Sequence, residues 1–166
     1  MTTKNINKIV FAIFLIISCS CSNEIQYSDS KDFSDGWKLD DPVTFNLNGI
    51  PKSKGSIYIN IRNDNNYSFS NIYIIALLLK DDVEVFRDTL EYNMADKAGR
   101  FLGKGFGNVK ESLLSWKENI NFSTESNYSI VLKHAMRKNQ NEYGMKVLPG
   151  IISVGISLVP NNKKND

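Results

Sequence analysis

An alternation of apolar and polar residues with a period of two recurs along most of this chain, and it is the feature that most constrains the fold. Ile57, Ile59 and Ile61, for example, alternate with Tyr58 and Asn60. Successive side chains of a β-strand point to opposite faces of a sheet, so this pattern predicts a strand with one buried face. The same alternation is found in residues 43–47, 128–136 and 152–158.

Two other stretches complete the fold prediction. Residues 72–79 form a continuous apolar run, which we expect to lie centrally in a sheet with both faces covered. No period holds in residues 93–115, where 94–96 and 109–114 each have the composition of a helical turn and glycines between them indicate unusual backbone angles. The pattern indicates an all-β fold, a β-sandwich or a barrel. We predict an antiparallel β-sandwich, with a jelly roll among its candidate topologies. It would carry one Gly-rich irregular or short-helical insertion and follow a signal peptide.

The N-terminus predicts export. Lys4 and Lys8 precede the apolar run of residues 9–17. That run is too short for a spanning helix, which needs about 20 residues, but it suits a secretory signal peptide. Ile16-Ile17-Ser18-Cys19 resembles a lipobox, the site at which a bacterial signal peptidase cuts beside a lipid-modified cysteine. We therefore predict a lipoprotein signal peptide over residues 1–18.

The cysteines support lipidation. Cys19 and Cys21 are the only two in the chain, whereas a disulfide framework would spread an even set through the domain. Cys19 is the better lipidation candidate because Ile16 lies three residues before it, and Cys21 is the alternative. Ser20 follows Cys19 where an aspartate would favour retention in the inner membrane. We expect an anchor in the outer membrane, facing the periplasm, with acyl chains such as palmitate.

Composition divides the rest of the chain. Residues 19–35 are polar and read as a flexible tether, 36–159 as one β domain, and 160–166 as a disordered tail. Removing residues 1–18 removes two lysines and no acid, so the formal charge falls from +2 to 0. A nucleic-acid-binding protein would show an uncompensated basic face, and this chain does not indicate one.

Three features could indicate phosphate binding, calcium binding or catalysis, but each has a simpler structural interpretation. The Gly103–Gly107 segment lacks the strand and helix that a phosphate-binding loop requires. Asp64 and Asn66 could ligate calcium, but an Asx-rich turn accounts for them better. His134 is the only histidine, and we expect a hydrogen-bonded core residue on an alternating strand. We predict no enzyme activity, no cofactor, no metal and no small-molecule substrate.

Two surfaces are the binding candidates. The first is a partner-binding loop, formed by Asp96, Gly99, Arg100, Gly103, Lys104, Gly105, Phe106 and Gly107. The second is the non-core face of the strand around residue 59, which carries Tyr58, Asn60 and Arg62. An aromatic ring beside polar groups on that face also suits sugars, so a lipid-anchored glycan-binding module of a surface polysaccharide system is the alternative function.

Several segments, read in order, resemble the gliding-motility lipoprotein family GldH of Bacteroidetes. Among them are Leu102-Gly103-Lys104-Gly105-Phe106-Gly107 and Trp116-Lys117-Glu118. The others are residues 58–67, 69–72, 88–92, 94–96, 99–100, 135–137, 149–151 and 154–155. Lys97-Ala98 and Ser115 depart from the pattern. The resemblance covers about residues 36–158 and implies a non-enzymatic envelope accessory of the gliding-motility and type IX secretion apparatus, with protein partners in that machinery.

One short motif concerns modification. Asp88-Thr89-Leu90 resembles the acceptor sequence of periplasmic O-glycosylation in Bacteroidetes. The sequence does not decide whether Thr89 carries a glycan.

Overall fold

The computed structural model describes residues 25–50, 52–138 and 143–161. The predicted signal peptide, both lipidation candidates and residues 162–166 of the predicted tail lie outside these residues. The described part is built of β-strands and contains no α-helix, and thus no helix there is long and apolar enough to span a membrane. The predicted all-β antiparallel sandwich is confirmed.

The described residues form ten strands. They are β1 (Tyr27–Asp32), β2 (Trp37–Lys38), β3 (Val43–Leu47), β4 (Ser53–Asn63), β5 (Asn71–Lys80), β6 (Val83–Asn93), β7 (Lys110–Phe122), β8 (Tyr128–His134), β9 (Val147–Leu148) and β10 (Ile151–Pro160). Sheet I has the order β1-β10-β4-β7, and sheet II has the order β3-β8-β5-β6. All pairings are antiparallel, and β2 pairs with β9 alone.

The period-two pattern places the core between the two sheets. On β4 of sheet I, Ile57, Ile59 and Ile61 are each 0% exposed. On β5 of sheet II, Ile72 and Ile74 are equally buried. Burying apolar side chains of this size is the main favourable term of folding, so the two inner faces hold the sandwich together.

Polar bonds join the sheets where β6 of sheet II meets β7 of sheet I. Trp116 Nε1 donates a hydrogen bond to Asp88 Oδ2 at 2.9 Å, and Lys117 Nζ lies 3.0 Å from the same oxygen. The Tyr92 hydroxyl donates to the Ser115 carbonyl oxygen at 2.7 Å. The hydrogen bond from Trp116, followed by that from Lys117, lowers the pKa of Asp88. We call this group the β6–β7 seam.

β1 closes the opposite edge of the sandwich, which differs from the predicted flexible tether over 19–35. Residues 27–32 pair with Ser153–Leu158 of β10, and the Tyr27 hydroxyl donates to the Asn46 carbonyl oxygen of β3 at 3.0 Å. Gly155 makes room for this strand, because a Cβ there would lie 2.6 Å from the Asp29 carbonyl oxygen. The folded domain therefore begins before the predicted boundary at residue 36.

Two further expectations differ from the structure. The helical turn predicted over 109–114 is wrong, since β7 begins at Lys110, and residues 94–96 are not helical either. β5 lies centrally in sheet II as predicted, but only one of its faces is buried. Tyr73, Ile75, Leu77 and Leu79 point outward and are half-buried. An unbroken apolar run therefore does not imply a strand covered on both sides.

His134 lies on the inner face of β8, as predicted, and is 0% exposed. Its ring packs edge-on against the Trp37 ring, with the centroids 5.4 Å apart. Neither ring nitrogen has a hydrogen-bond partner among the described residues, so the expected hydrogen bond is not formed. Burial lowers the pKa of His134 to about 4, so the imidazole is neutral at pH 7.

Candidate functional site

A groove of about 830 Å³ runs over the outer face of sheet I, and it brings a part of each predicted binding surface together. Asn60 of the sheet-face candidate lies in its floor, and Gly103, Lys104 and Gly105 of the loop candidate form one side. Asn93, at the end of β6, also lines it. We call this site the sheet I groove.

The floor of the groove is polar and made of small side chains. The Asn60 amide donates to Ser157 Oγ at 2.7 Å, and the Ser157 and Ser28 hydroxyl oxygens are 3.3 Å apart. These residues occupy outward positions on β4, β10 and β1. Asn60 lies opposite Gly155 in the register, where there is no side chain to fill the space.

One polar atom in the floor lacks a partner. Asn60 Oδ1 is buried and accepts no hydrogen bond from any described residue. A buried acceptor without a donor is unfavourable by about 1–3 kcal/mol, and a bound N–H or O–H group would relieve this. A donor on a ligand would reach this oxygen after the Asn60 side chain turns toward the groove.

The walls of the groove are apolar and exposed. Ile25 is 60% exposed, Leu102 is 57% exposed and Leu113 is 62% exposed. They come from the start of the described chain, the loop before β7 and the outer face of β7 itself. Exposed large apolar residues that converge on one groove are typical of interaction sites.

The loop of residues 101–107 is held against β7. The Lys104 N–H donates to the Glu111 carbonyl oxygen at 2.8 Å, and the Glu111 N–H donates to the Lys104 carbonyl oxygen at 2.7 Å. A Cβ at Gly103 would lie 2.9 Å from the Glu111 carbonyl oxygen. At Gly105 a Cβ would lie 2.4 Å from the Val109 carbonyl oxygen. Gly103 therefore allows the loop to approach β7, and Gly105 allows it to approach Val109, the residue before β7.

Phe106 marks the tip of this loop. Its side chain is fully exposed, with a relative exposure of 103%. Gly105 and Gly107 on either side have φ angles of 152° and 65°, which a residue with a side chain rarely adopts. The local backbone thus holds the ring away from the domain instead of folding it into the core.

The remaining loop candidates form a separate turn. Asp96 Oδ1 accepts hydrogen bonds from the N–H groups of Ala98 and Arg100 at 2.8 and 3.0 Å, and Asp96 Oδ2 accepts one from Arg100 Nε at 2.8 Å. The bond from the Arg100 backbone is the main cause of the lowered pKa of Asp96. Asp96, Gly99 and Arg100 do not line the groove. Their interactions stabilise the turn at Gly99, where φ is 78°.

The other sheet-face candidates flank the groove. Tyr58 and Arg62 lie two residues to either side of Asn60 on the outer face of β4, with Tyr58 half-buried and Arg62 exposed. Neither lines the groove. The prediction missed Ile25, assigned to the tether, and Leu113, assigned to a helical turn. Ser112, Leu113 and Leu114 do not alternate in polarity, so the pattern does not reveal β7.

Other candidate residues have structural partners. Asp64 accepts hydrogen bonds from the Asn66 N–H at 2.8 Å and from its amide at 3.0 Å, which is the Asx turn that we predicted. Within the described ranges no group of three or more His, Cys, Asp or Glu residues could hold a metal ion. Thr89 is exposed on β6, beside a second depression on sheet II that includes Tyr73.

Comparison with known proteins yields one family. A family model described as GldH lipoprotein matches residues 25–158, which include β1. The gliding motility lipoprotein GldH homolog of Christiangramia forsetii is 37% identical over 150 residues, covering 90% of this chain and 92% of that protein. The gliding motility lipoprotein GldH of Flavobacterium johnsoniae is 32% identical over 159 residues, covering 95% of this chain and 98% of that protein.

Similarity to solved structures is weak. A family 35 carbohydrate binding module from Clostridium thermocellum matches 80% of this chain and 89% of its own at 11% identity, with a TM-score of 0.35. Two chains with this TM-score need not share a topology, so the match bears on neither the fold nor the ligand.

Proposed function

Because the chain belongs to the GldH lipoprotein family, we propose that it is a non-catalytic accessory component of the gliding motility and type IX protein secretion apparatus. Its two relatives are named as gliding motility lipoproteins and match nearly its whole length. The family name implies a lipoprotein of the cell envelope. Beyond this, we propose that the protein acts in secretion and binds a protein partner through a defined surface.

The proposed anchor is a lipid on Cys19, or on Cys21, in the outer membrane and facing the periplasm. The lipobox and the signal peptide support this placement. Several acyl chains hold a protein on a membrane stably, whereas one chain does so only marginally. Replacing both cysteines, Cys19→Ala with Cys21→Ala, should release the protein from membranes, and its retention at high salt would contradict the anchor.

The sheet I groove is the proposed partner site. Its combination of apolar walls and a polar floor supports this assignment. Three exposed apolar side chains surround a buried Asn60 oxygen that lacks a donor. A polypeptide segment supplies both complements, an apolar side chain for the walls and, once the Asn60 side chain turns toward the groove, a backbone N–H for its oxygen. The groove is therefore proposed to bind a segment of another protein.

The test is a crosslinked affinity purification of the tagged lipoprotein from its own cells, read by mass spectrometry. Leu113→Ser removes one wall of the groove from an outward position that is already 62% exposed, so the fold should be preserved. Val83→Ser is the matched control, since Val83 is 67% exposed on β6 of sheet II. Gliding or type IX secretion components should be recovered with the wild type and the control, and largely lost with Leu113→Ser.

Two results would count against this role. Equal recovery with Leu113→Ser and the wild type would remove the groove as the partner site. Recovery of polysaccharide-uptake proteins instead would favour the glycan-binding alternative. In that case the purified protein should bind a glycan array, and Tyr58→Ala should reduce the binding, since Tyr58 is the aromatic residue beside Asn60 on the outer face.

A further inference from the structure

We propose that the loop tip at Phe106, with Lys104 and Lys110 beside it, lies on the phospholipid surface that holds the N-terminal lipid. This inference rests on the proposed lipid anchor and goes beyond it, because an anchor alone leaves the orientation of the domain free. Contact at the loop tip would fix the orientation and hold the sheet I groove open at the membrane surface. A partner would then be bound there.

The N-terminal segment before the domain is short, which limits how far the loop can lie from the lipid. Ile25 lines the same groove as Gly103, Lys104 and Gly105. Cys19 is six residues before Ile25 in the sequence and Cys21 is four residues before it. At about 3.3–3.6 Å per residue, even an extended chain spans only about 20–22 Å from Cys19, or about 13–14 Å from Cys21. The side of the domain that carries the loop is therefore held near the lipid.

The side chain at the loop tip suits a lipid surface. Phe106 is fully exposed and has no core role, and the glycines beside it hold the ring outward. Moving a large apolar ring from water into an interface lowers the free energy. Phenylalanine is one of the apolar residues that interfacial segments bury at the boundary between lipid headgroups and acyl chains. A phospholipid surface that is already close by tether length supplies that boundary.

The groups around the loop tip carry positive charge. Lys104 is exposed beside Phe106, and Lys110 Nζ donates to the Gly105 carbonyl oxygen at 3.0 Å, which places its ammonium group against the tip. Glu111 is the acidic residue that lines the groove beside Lys104. Arg100 is paired with Asp96 at 2.8 Å and adds little net charge. The tip therefore presents an excess of positive charge to anionic headgroups, although the mature chain has no net charge.

A control position lies at the far end of β6. Asn93 lines the groove, whereas Val83 is at the other end of this 11-residue strand. At about 3.4 Å per residue, the two positions are about 34 Å apart. Val83 is also a large exposed apolar residue, so it matches Phe106 in character but not in its expected distance from the membrane.

The experiment uses the full lipidated protein reconstituted into vesicles of phosphatidylethanolamine and phosphatidylglycerol. Phe106→Trp and Val83→Trp each add one exposed tryptophan, while the native Trp37 and Trp116 are 0% and 8% exposed and give a common background. Fluorescence is recorded with and without brominated phospholipids, and flotation of the vesicles is measured in parallel. The signal of the wild type is subtracted from each variant.

We expect the Phe106→Trp signal to shift to the blue and to be quenched several-fold more strongly than the Val83→Trp signal. Equal quenching at the two positions, or none at either, in protein that floats with the vesicles would overturn the docking surface and leave the anchor in place. Protein that does not float would refute the anchor, and the docking surface with it. The two failures are thus distinguishable.

Discussion

The two sheets bury their inner faces by the same alternation, yet their outer faces differ. On sheet I, the outward residues of β10 are small and β1 pairs with this strand. The loop of residues 101–107 lies along β7. On sheet II, β5 points a row of half-buried apolar side chains outward. The difference shows that the inner pattern specifies the sandwich, whereas the size and polarity of outward residues decide where a binding groove can form.

The largest expected loss of stability distinguishes the inner face of β5 from its outer face. Ile74 is 0% exposed and Ile75 is half-buried, although they are neighbours of the same residue type. Ile74→Ala should lower the free energy of unfolding by about 2–5 kcal/mol, because it leaves a cavity in the core. Ile75→Ala should cost about 1 kcal/mol or less. Urea denaturation of both variants measures the difference, and equal losses would mean that the outer face of sheet II is covered.

The next effect concerns the buried polar groups of the two sheets. Asn60 and Ser157 of sheet I do not titrate, whereas His134 of sheet II does. Its pKa is about 4 when folded, against about 6.5 when unfolded, so the unfolded chain binds more protons between these values. The wild type should therefore lose about 3 kcal/mol of stability as the pH falls from 6.5 to 4.

His134→Phe removes the titrating group and keeps a ring against Trp37. The loss attributed to His134 should then be absent from the same pH range, while acids that titrate in both proteins contribute equally. Thermal unfolding of the wild type and the variant at several pH values gives the comparison. Parallel profiles would show that the imidazole is not desolvated as the structure indicates.

The smallest effect tests the fit of β1 on sheet I. In Gly155→Ala the new Cβ would lie 2.6 Å from the Asp29 carbonyl oxygen and 3.0 Å from Ser30 Cβ, so β1 must shift. We expect a loss of about 1–3 kcal/mol and faster amide hydrogen exchange over residues 27–32. Gly107→Ala is the control, because no atom lies within 4 Å of its Cβ and only its own turn is strained. Unchanged exchange at β1 in Gly155→Ala would mean that this strand is loosely held.

The sequence predicted the inner faces well because period two is a property of a single strand. Val43, Phe45, Ile130 and Leu132 are all buried where the alternation placed them. The outer faces depend on neighbours that are distant in the chain. Nothing in residues 72–79 shows that Ile75 and its outward neighbours lack a covering layer.

The site was predicted in parts but not as a whole. The glycine loop and Asn60 were each identified, yet their approach depends on the pairing of Lys104 with Glu111 and on the register of β7 with β4. β1 was missed for a similar reason. Its sequence is polar, and it becomes a strand because Gly155 leaves room and Ser157 offers a hydroxyl to Ser28.

The pairing of β1 with β10 has a mechanical consequence. Tension applied to the chain before Tyr27 enters the domain through this strand. A pull along the strand axis loads the β1–β10 hydrogen bonds in shear, so the six paired positions from Tyr27 to Asp32 resist together. A pull at right angles breaks them one after another. The attachment is therefore strongest when the pulling force is parallel to β1.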